Sequence, residues 1–414
     1  MANSYYGGLD FGTSGARISI INDKYDVIYE NSINYKNEFK NPKSWIDACK
    51  ELLDCIPDYI KEDISKMSIS GTSGTLLACL SNGESLGNAI PYNISCEIEK
   101  KLLTSIVGDN SVLNNPYSSL SKALLLLNIY GKDILLRHQS DWITGWILNN
   151  WEFGEEGNNI KLGWDLPSSS WPEKFYSSYW YKSLPIIKKS GAILGKINPS
   201  IAKKFSLNQH LLIVAGTTDA NASYIAAKIS EKDGLTVLGT TIVLKKRVSA
   251  PIRSIGITNH RINNQWICGG ASNSGCGILS KFFSNIELEE LSKQINPKKA
   301  ANLGFIPLNC KGERFPINDP NLKSIVAPRP VSDALFLHGL LEGLANIELK
   351  GWKKLEELTG LFPEKIVTIG GGARNPQWRS IREKIIKVPI ISCYRSSSYG
   401  SAILALRSNE LKIK

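Results

Sequence analysis

The chain reads as an α/β protein of two lobes, and three observations predict it. Short apolar strands alternate with helical segments across short connections, the pattern of layered α/β packing. A device of strand, Gly-Thr turn and strand occurs at residues 5–21 and again at 234–248. A chain of 414 residues exceeds one comfortable core and fits two domains of roughly 200 residues each.

Taken in order, "YYGGLDFGTSGARISII" places apolar residues up to Asp10, small turn residues from Gly12 to Gly15, and the alternating run Arg17–Ile21, which predicts a β-hairpin. "SISGTSGTLLACL", around Ser73, has the same flavour and predicts a third such turn in the first lobe. "HLLIVAG", residues 210–216, is a buried strand, and "DANASYIAAKIS", 219–230, a helix. "GLTVLGTTIVLKKRV" repeats the first hairpin. "EKIVTIGGG" is a strand ending in three glycines, followed by a helix from Pro376 to about Ile386, the short strand "VPIISC" and a closing helix "YGSAILALRS". With no low-complexity linker, the expected division is 1–226 and 227–414.

Composition narrows the function. The 42% hydrophobic and 21% charged residues are those of a soluble globular protein. No apolar run approaches the ~18 residues that span a bilayer, and "MANSYYGG" has no signal-peptide character, so the expectation is a cytoplasmic protein without a membrane partner. The net charge of +11 comes from scattered lysines rather than a basic stripe, which argues against nucleic acid. Eight cysteines show no C-x-x-C pair and no His at zinc spacing, the pattern of reduced structural thiols.

The chemistry concentrates at the turns. Gly12 and Gly15 allow backbone angles closed to other residues, so that amides can converge on an anion beside the hydroxyls of Thr13 and Ser14. Asp10 would repel that anion unless a cation lay between them, which implies Mg²⁺. The alternative is a tight hairpin whose aspartate bonds its own turn amides. Gly239-Thr240-Thr241 offers matching groups in the second lobe, although the tripeptide alone is weak evidence. Gly370-Gly371-Gly372 would let backbone lie flat against a planar ligand, while Asn375 and Pro376 read equally well as an N-cap and first helical residue. Asp219 stands where a strand gives way to a helix. Either Thr217, Thr218 or Asp219 caps that helix, or Asp219 is a carboxylate able to take a proton from a hydroxyl acceptor. Trp142, Trp146, Trp164 and Trp266 read as core residues before pocket residues.

The order of "GLDFGTSGAR", "SGTSGT", "AGTTDANA", "VLGTTIVLK", "GGASN", "GGGARNPQW" and "YGSAILAL" over residues 7–406 resembles the FGGY family of carbohydrate kinases. That resemblance implies an actin/hexokinase-type fold, two lobes on ribonuclease-H-like sheets with the active site in the cleft between them. The short length, with "HQSDWITGWIL" and "KGERFPINDP", is similar to the compact cyanobacterial and plastid branch labelled xylulose-kinase-like, and so implies D-ribulose as acceptor with D-xylulose or another polyol as alternatives. It implies ATP and Mg²⁺, with Asp10 as metal-organising and substrate-contacting acid and Thr13 beside the transferred phosphate. Ser73 would touch the sugar and Asp219 would be the general base. Gly12, Thr13, Ser14, Gly239, Thr240 and Thr241 would hold the nucleotide phosphates, and Gly371, Gly372 and Asn375 would flank the adenosine. The terminal helix, with Gly400-Ser401, would pack back toward the first lobe, and the partners would be a small sugar and ATP, in a monomer or homodimer. A sugar-independent ATPase or a sugar sensor on the same superfold is the rival.

Overall fold

The computed structural model describes residues 4–96, 100–108 and 111–408. They form two units, one of Met1–Ala226, Arg261–Asn264 and Arg395–Lys414, the other of Ala227–His260 and Gln265–Tyr394.

The first unit carries β1 (Tyr5–Phe11), β2 (Gly15–Ile21), β3 (Val27–Asn34), β4 (Ile64–Gly71), β5 (Leu76–Cys79), β6 (Leu135–His138), β7 (Phe153–Glu155), β8 (Ile186–Lys188), β9 (Ile193–Lys196) and β10 (Leu212–Thr218). Its main sheet has the order β3-β2-β1-β4-β10-β9. β1 and β2 pair antiparallel, whereas β1–β4 and β4–β10 are parallel, so the chain must cross over between them. The helix Pro42–Asp54 makes the first crossover: Asn41 caps it by accepting from the Lys43 amide, and Pro42 suits the first turn. It buries Trp45, Cys49, Leu52 and Leu53 in the same cluster as Leu9, Phe11 and Ile18. Helix Ser119–Tyr130 and the β5–β6 pair cover a separate aromatic cluster with Trp171, Phe175 and Trp180. The terminal helix, Ser397–Arg407, belongs to this unit and packs on β1, β2, β4 and helix Asp219–Ala226.

The second unit carries β11 (Gly234–Leu238), β12 (Ile242–Val248), β13 (Ile257–Ile262), β14 (Gln265–Ala271), β15 (Ile366–Ile369) and β16 (Ile390–Ser392), in the order β13-β14-β12-β11-β15-β16. Without the edge strands β9 and β13, the two sheets have one topology, β3-β2-β1-β4-β10 matching β14-β12-β11-β15-β16. The long helix Asp333–Thr359 starts at the Ser332 cap and stops at Gly360, whose φ of 75° is cheap only for glycine. Phe336, Leu340, Leu344 and Trp352 on it fill the core of this unit.

Three local expectations change. The segment around Ser73 is no hairpin, because β5 leaves β4 and pairs with β6 instead. The helix from Asp219 ends at Ala226 rather than at 230, the chain leaving it through Lys228 at φ 47°. Neither Gly12 nor Gly15 is among the glycines at positive φ; Gly15 is needed because a Cβ there would lie 2.1 Å from the Ile33 carbonyl oxygen of β3. The described cysteines form no disulfide, and no described helix is long and apolar enough to cross a membrane.

Candidate functional site

In the first unit two acids stand at the ends of strands that flank β4. Asp10 lies one pair below the β1–β2 turn, opposite Arg17 on β2 and beside Ser70 on β4. Asp10 is only 2% exposed. It accepts a 2.9 Å hydrogen bond from Ser70 Oγ, and the Arg17 guanidinium stands 3.7 Å away. Burial, reinforced by the charge of Asp219, pushes Asp10 up to about 7; the Ser70 bond and Arg17 pull the other way. Arg17, itself half-exposed, offsets only part of that shift.

Asp219 opens its helix immediately after β10, whose Thr217 and Thr218 lie beside Ser70 and Gly71 of β4. The capping alternative resolves in favour of Thr218, whose hydroxyl accepts from the Asn221 amide at 3.2 Å. The Asp219 carboxylate accepts from the next amide, Ala220, at 2.7 Å, and its charge reaches both Asp10 and Lys161.

Ser73 sits half-buried in the loop after β4. Its carbonyl accepts from Lys161 Nζ at 2.9 Å. Desolvation holds the Lys161 ammonium below the ordinary lysine value, and Asp219 opposes that shift. Thr72, next to it, is fixed by Gln139 and Thr75. Behind the loop lies a buried polar layer. Asp141 accepts from the Glu155 amide and Asn159, and Glu155 accepts from Ser190 and the Asn158 amide. Burial raises Asp141 to about 7 and Glu155 to about 8.

At the hairpin tip, Thr13 and Ser14 are exposed, while the Gly12 amide is already bonded to the Gly15 carbonyl. Gly12 therefore does not offer its N–H to an anion. Tyr35 closes the tip by donating to the Gly12 carbonyl at 3.0 Å.

The second unit contains a cavity of about 790 Å³, within the range of small-molecule sites. Gly239, Thr240, Gly371, Gly372 and Asn375 line it together with Leu279, Leu288, Leu337, Leu341 and Trp378. Thr241 is absent from that lining. The three glycines divide by physical need. Gly370 has φ 94° and approaches the Leu238 carbonyl so closely that a Cβ would lie 2.5 Å from it, and a Cβ on Gly372 would lie 2.5 Å from the Trp378 ring. Gly371 alone faces open space. Asn375 is the N-cap, its Oδ1 accepting from the Trp378 amide at 2.9 Å while its Nδ2 donates to Ser292 at 2.7 Å. Both ends of its amide are thus occupied within the protein.

Sequence reasoning missed Ser70 and Lys161 and gave Arg17 only a structural place on its strand. A signal existed for Arg17, since a hairpin closing over Gly12–Gly15 must set residues 10 and 17 opposite each other.

Comparison with known proteins agrees with this architecture. Residues 235–408 match the C-terminal domain of the FGGY family of carbohydrate kinases. A xylulose kinase of Staphylococcus epidermidis is 24% identical over 435 residues, covering 96% of this chain and 86% of that protein. Among solved structures, a xylulose kinase from Brucella ovis superposes with a TM-score of 0.84 at 18% identity, covering 98% of this chain and 90% of that one. A glycerol kinase of Plasmodium falciparum with ADP gives 0.81 at 15% identity, covering 100% and 91%.

Proposed function

Taking the chain as a carbohydrate kinase of the FGGY family, we propose that it transfers the γ-phosphoryl group of ATP to a primary hydroxyl of a ketopentose. The carrying observation is the pair of acids flanking β4, one nearly buried and poised near neutrality, the other at a helix start, each within the other's field. In this reading Asp219 takes the proton of the attacking hydroxyl and Asp10 orients the acceptor, with Ser73 and Lys161 contacting the sugar. Thr13, Ser14, Thr240 and Thr241 offer hydroxyls to the nucleotide phosphates, and the open face at Gly371 receives the adenosine against the leucines of the cavity.

The Asp10 carboxylate, whose proton affinity the charge of Asp219 raises, forms with Asp219 a hard-oxygen set suited to a divalent cation. Mg²⁺ would be held by Asp10 through water, and when bound it would offset the negative charge of the phosphates. Among the described residues no group of three or more His, Cys, Asp or Glu side chains that could hold a metal exists; Mg²⁺ usually takes one or two carboxylates and keeps several waters.

The acceptor is D-ribulose on the sequence resemblance; the names of the relatives favour D-xylulose as the second reading. A coupled ADP-release assay with Mg·ATP and D-ribulose, L-ribulose, D-xylulose, glycerol or no sugar decides between them, with the sugar phosphate identified by mass. One ketopentose should raise ADP release well above the blank. Equal release in every well, without phosphorylated sugar, would overturn the kinase reading for these acceptors and leave an ATPase.

A further inference from the structure

We propose that Ser401 and Ser397, two hydroxyls on one face of the terminal helix, are positioning residues for phosphoryl transfer, holding Asp10 through Ser70 and Asp219 through Ser223. The inference rests on the functional reading above and adds to it a part of the chain that reading does not use.

The residues are four apart and therefore share a helix face. Ser401 Oγ donates to Ser70 Oγ at 2.9 Å, and Ser70 Oγ donates to Asp10 Oδ1 at 2.9 Å. Ser397 Oγ lies 2.9 Å from Ser223 Oγ, which donates to the Asp219 carbonyl at 2.9 Å. With the Ser223 proton engaged there, Ser397 is the donor to Ser223. Both chains thus run outward from the helix, one ending on the Asp10 carboxylate and the other on the backbone that carries Asp219.

The direction matters as much as the distance. A hydroxyl has one proton, so a donor behind Ser70 leaves the Ser70 proton free for an acceptor, and the Asp10 carboxylate at 2.9 Å is nearer and more basic than the Leu9 carbonyl at 3.2 Å. Ser401 could have satisfied itself on its own helix, but the Ser397 carbonyl is at 3.3 Å, farther than Ser70. Both Ser70 and Ser401 are fully buried, where an alanine in the helix would be better in propensity and free of desolvation.

The helix has little room to shift. A Cβ on Gly8 of β1 would lie 2.1 Å from the Ala402 nitrogen, and one on Gly400 would lie 1.8 Å from the Ala222 carbonyl oxygen. Backbone contact on both sides sets where the two hydroxyls stand, and so fixes β1 and the start of helix Asp219–Ala226 against one rigid rod. Misplacement of a reacting group by even an ångström is expensive in turnover.

The test uses the full chain at saturating Mg·ATP and acceptor. Ser401→Ala should lower kcat about tenfold, the lower end of the loss when a supporting hydrogen bond is removed, with KM for ATP within about twofold. Its melting midpoint should stay within about 2 °C of the parent. Adding Ser70→Ala should cost nothing beyond Ser70→Ala alone, because both remove one chain. Ser223→Ala should show a smaller loss of kcat, and Ser223→Thr should restore it. Undiminished kcat in Ser401→Ala, losses that multiply in the double variant, or a loss of kcat that follows a falling melting midpoint would each overturn the inference.

A parent enzyme that phosphorylates no sugar would fail the functional reading alone. Positioning would then be read from amide hydrogen exchange, which should quicken at residues 10–12 in Ser401→Ala and at 219–221 in Ser397→Ala while the rest of the sheet keeps its protection. Unchanged exchange at those residues would end it.

Discussion

The β1–β2 and β11–β12 hairpins are the same piece of architecture used for different chemistry. Each begins its sheet, each turns through a glycine followed by hydroxyl residues, and each has a partner strand running parallel on its far side. One pair below the turn, the first sets Asp10 opposite Arg17, and the second sets Val237 opposite Val243. The first hairpin therefore brings charge into a buried place, and the second borders an apolar cavity. Topology supplies strand ends and turns; the pair beneath the first turn places an acid there, while the residues that pack around the second turn build a cavity.

Breaking that comparison is most direct at the acids. Asp219→Ala should lower turnover ~10²-fold or more, the scale of losing a general base, while KM for ATP stays near the parent value in steady-state ADP release. On the other side, Gly371→Leu puts a side chain into open space, so the fold should tolerate it, but the cavity loses room. KM for ATP should rise about tenfold, near 1.4 kcal/mol of binding, with kcat little changed; a kcat defect instead would blur the division of labour.

Arg17→Ala removes a half-exposed cation beside Asp10. Because solvent screens it, the expected loss in kcat/KM is about twofold to fivefold, steeper at low salt. Salt-independent loss would argue for packing rather than charge.

The last prediction concerns the pH dependence of stability rather than turnover. Glu155 is raised from 4.5 to about 8 by burial, so the folded first unit binds a proton that the unfolded chain releases. The sign follows: stability falls as pH rises between about 4.5 and 8, and Asp141, raised to about 7, adds to the slope. Thermal melts of Glu155→Gln should show a shallower decline across that window than the parent. An identical slope would remove Glu155 as its source.

Much of this was legible because the signals were local. Apolar alternation on either side of a glycine turn gives the two hairpins, and Asn375-Pro376 starts its helix where the residues say. The loop at Ser73 misled because its Gly-Thr repeat resembles a hairpin turn, while the pairing choice is made by β6, far along the chain. The glycines at 12 and 15 suggested unusual backbone angles, but Gly15 answers to crowding by β3, a contact no turn rule contains. Ser70 and Ser401 are separated by 331 positions, so nothing in either neighbourhood announces the other. Lys161 stayed hidden for the same reason, its bond to Ser73 spanning 88 positions.

The terminal helix belongs to the first unit yet is encoded after the whole second sheet. At ~5–20 residues per second of synthesis, β1 and β4 wait tens of seconds for the surface that covers them. The first unit is accordingly the last to be finished, and its acids acquire their final surroundings only once the second unit has been made. A ribosome that stalls between the two leaves an open sheet bearing Asp10, a fragment for chaperones and proteases rather than half an enzyme.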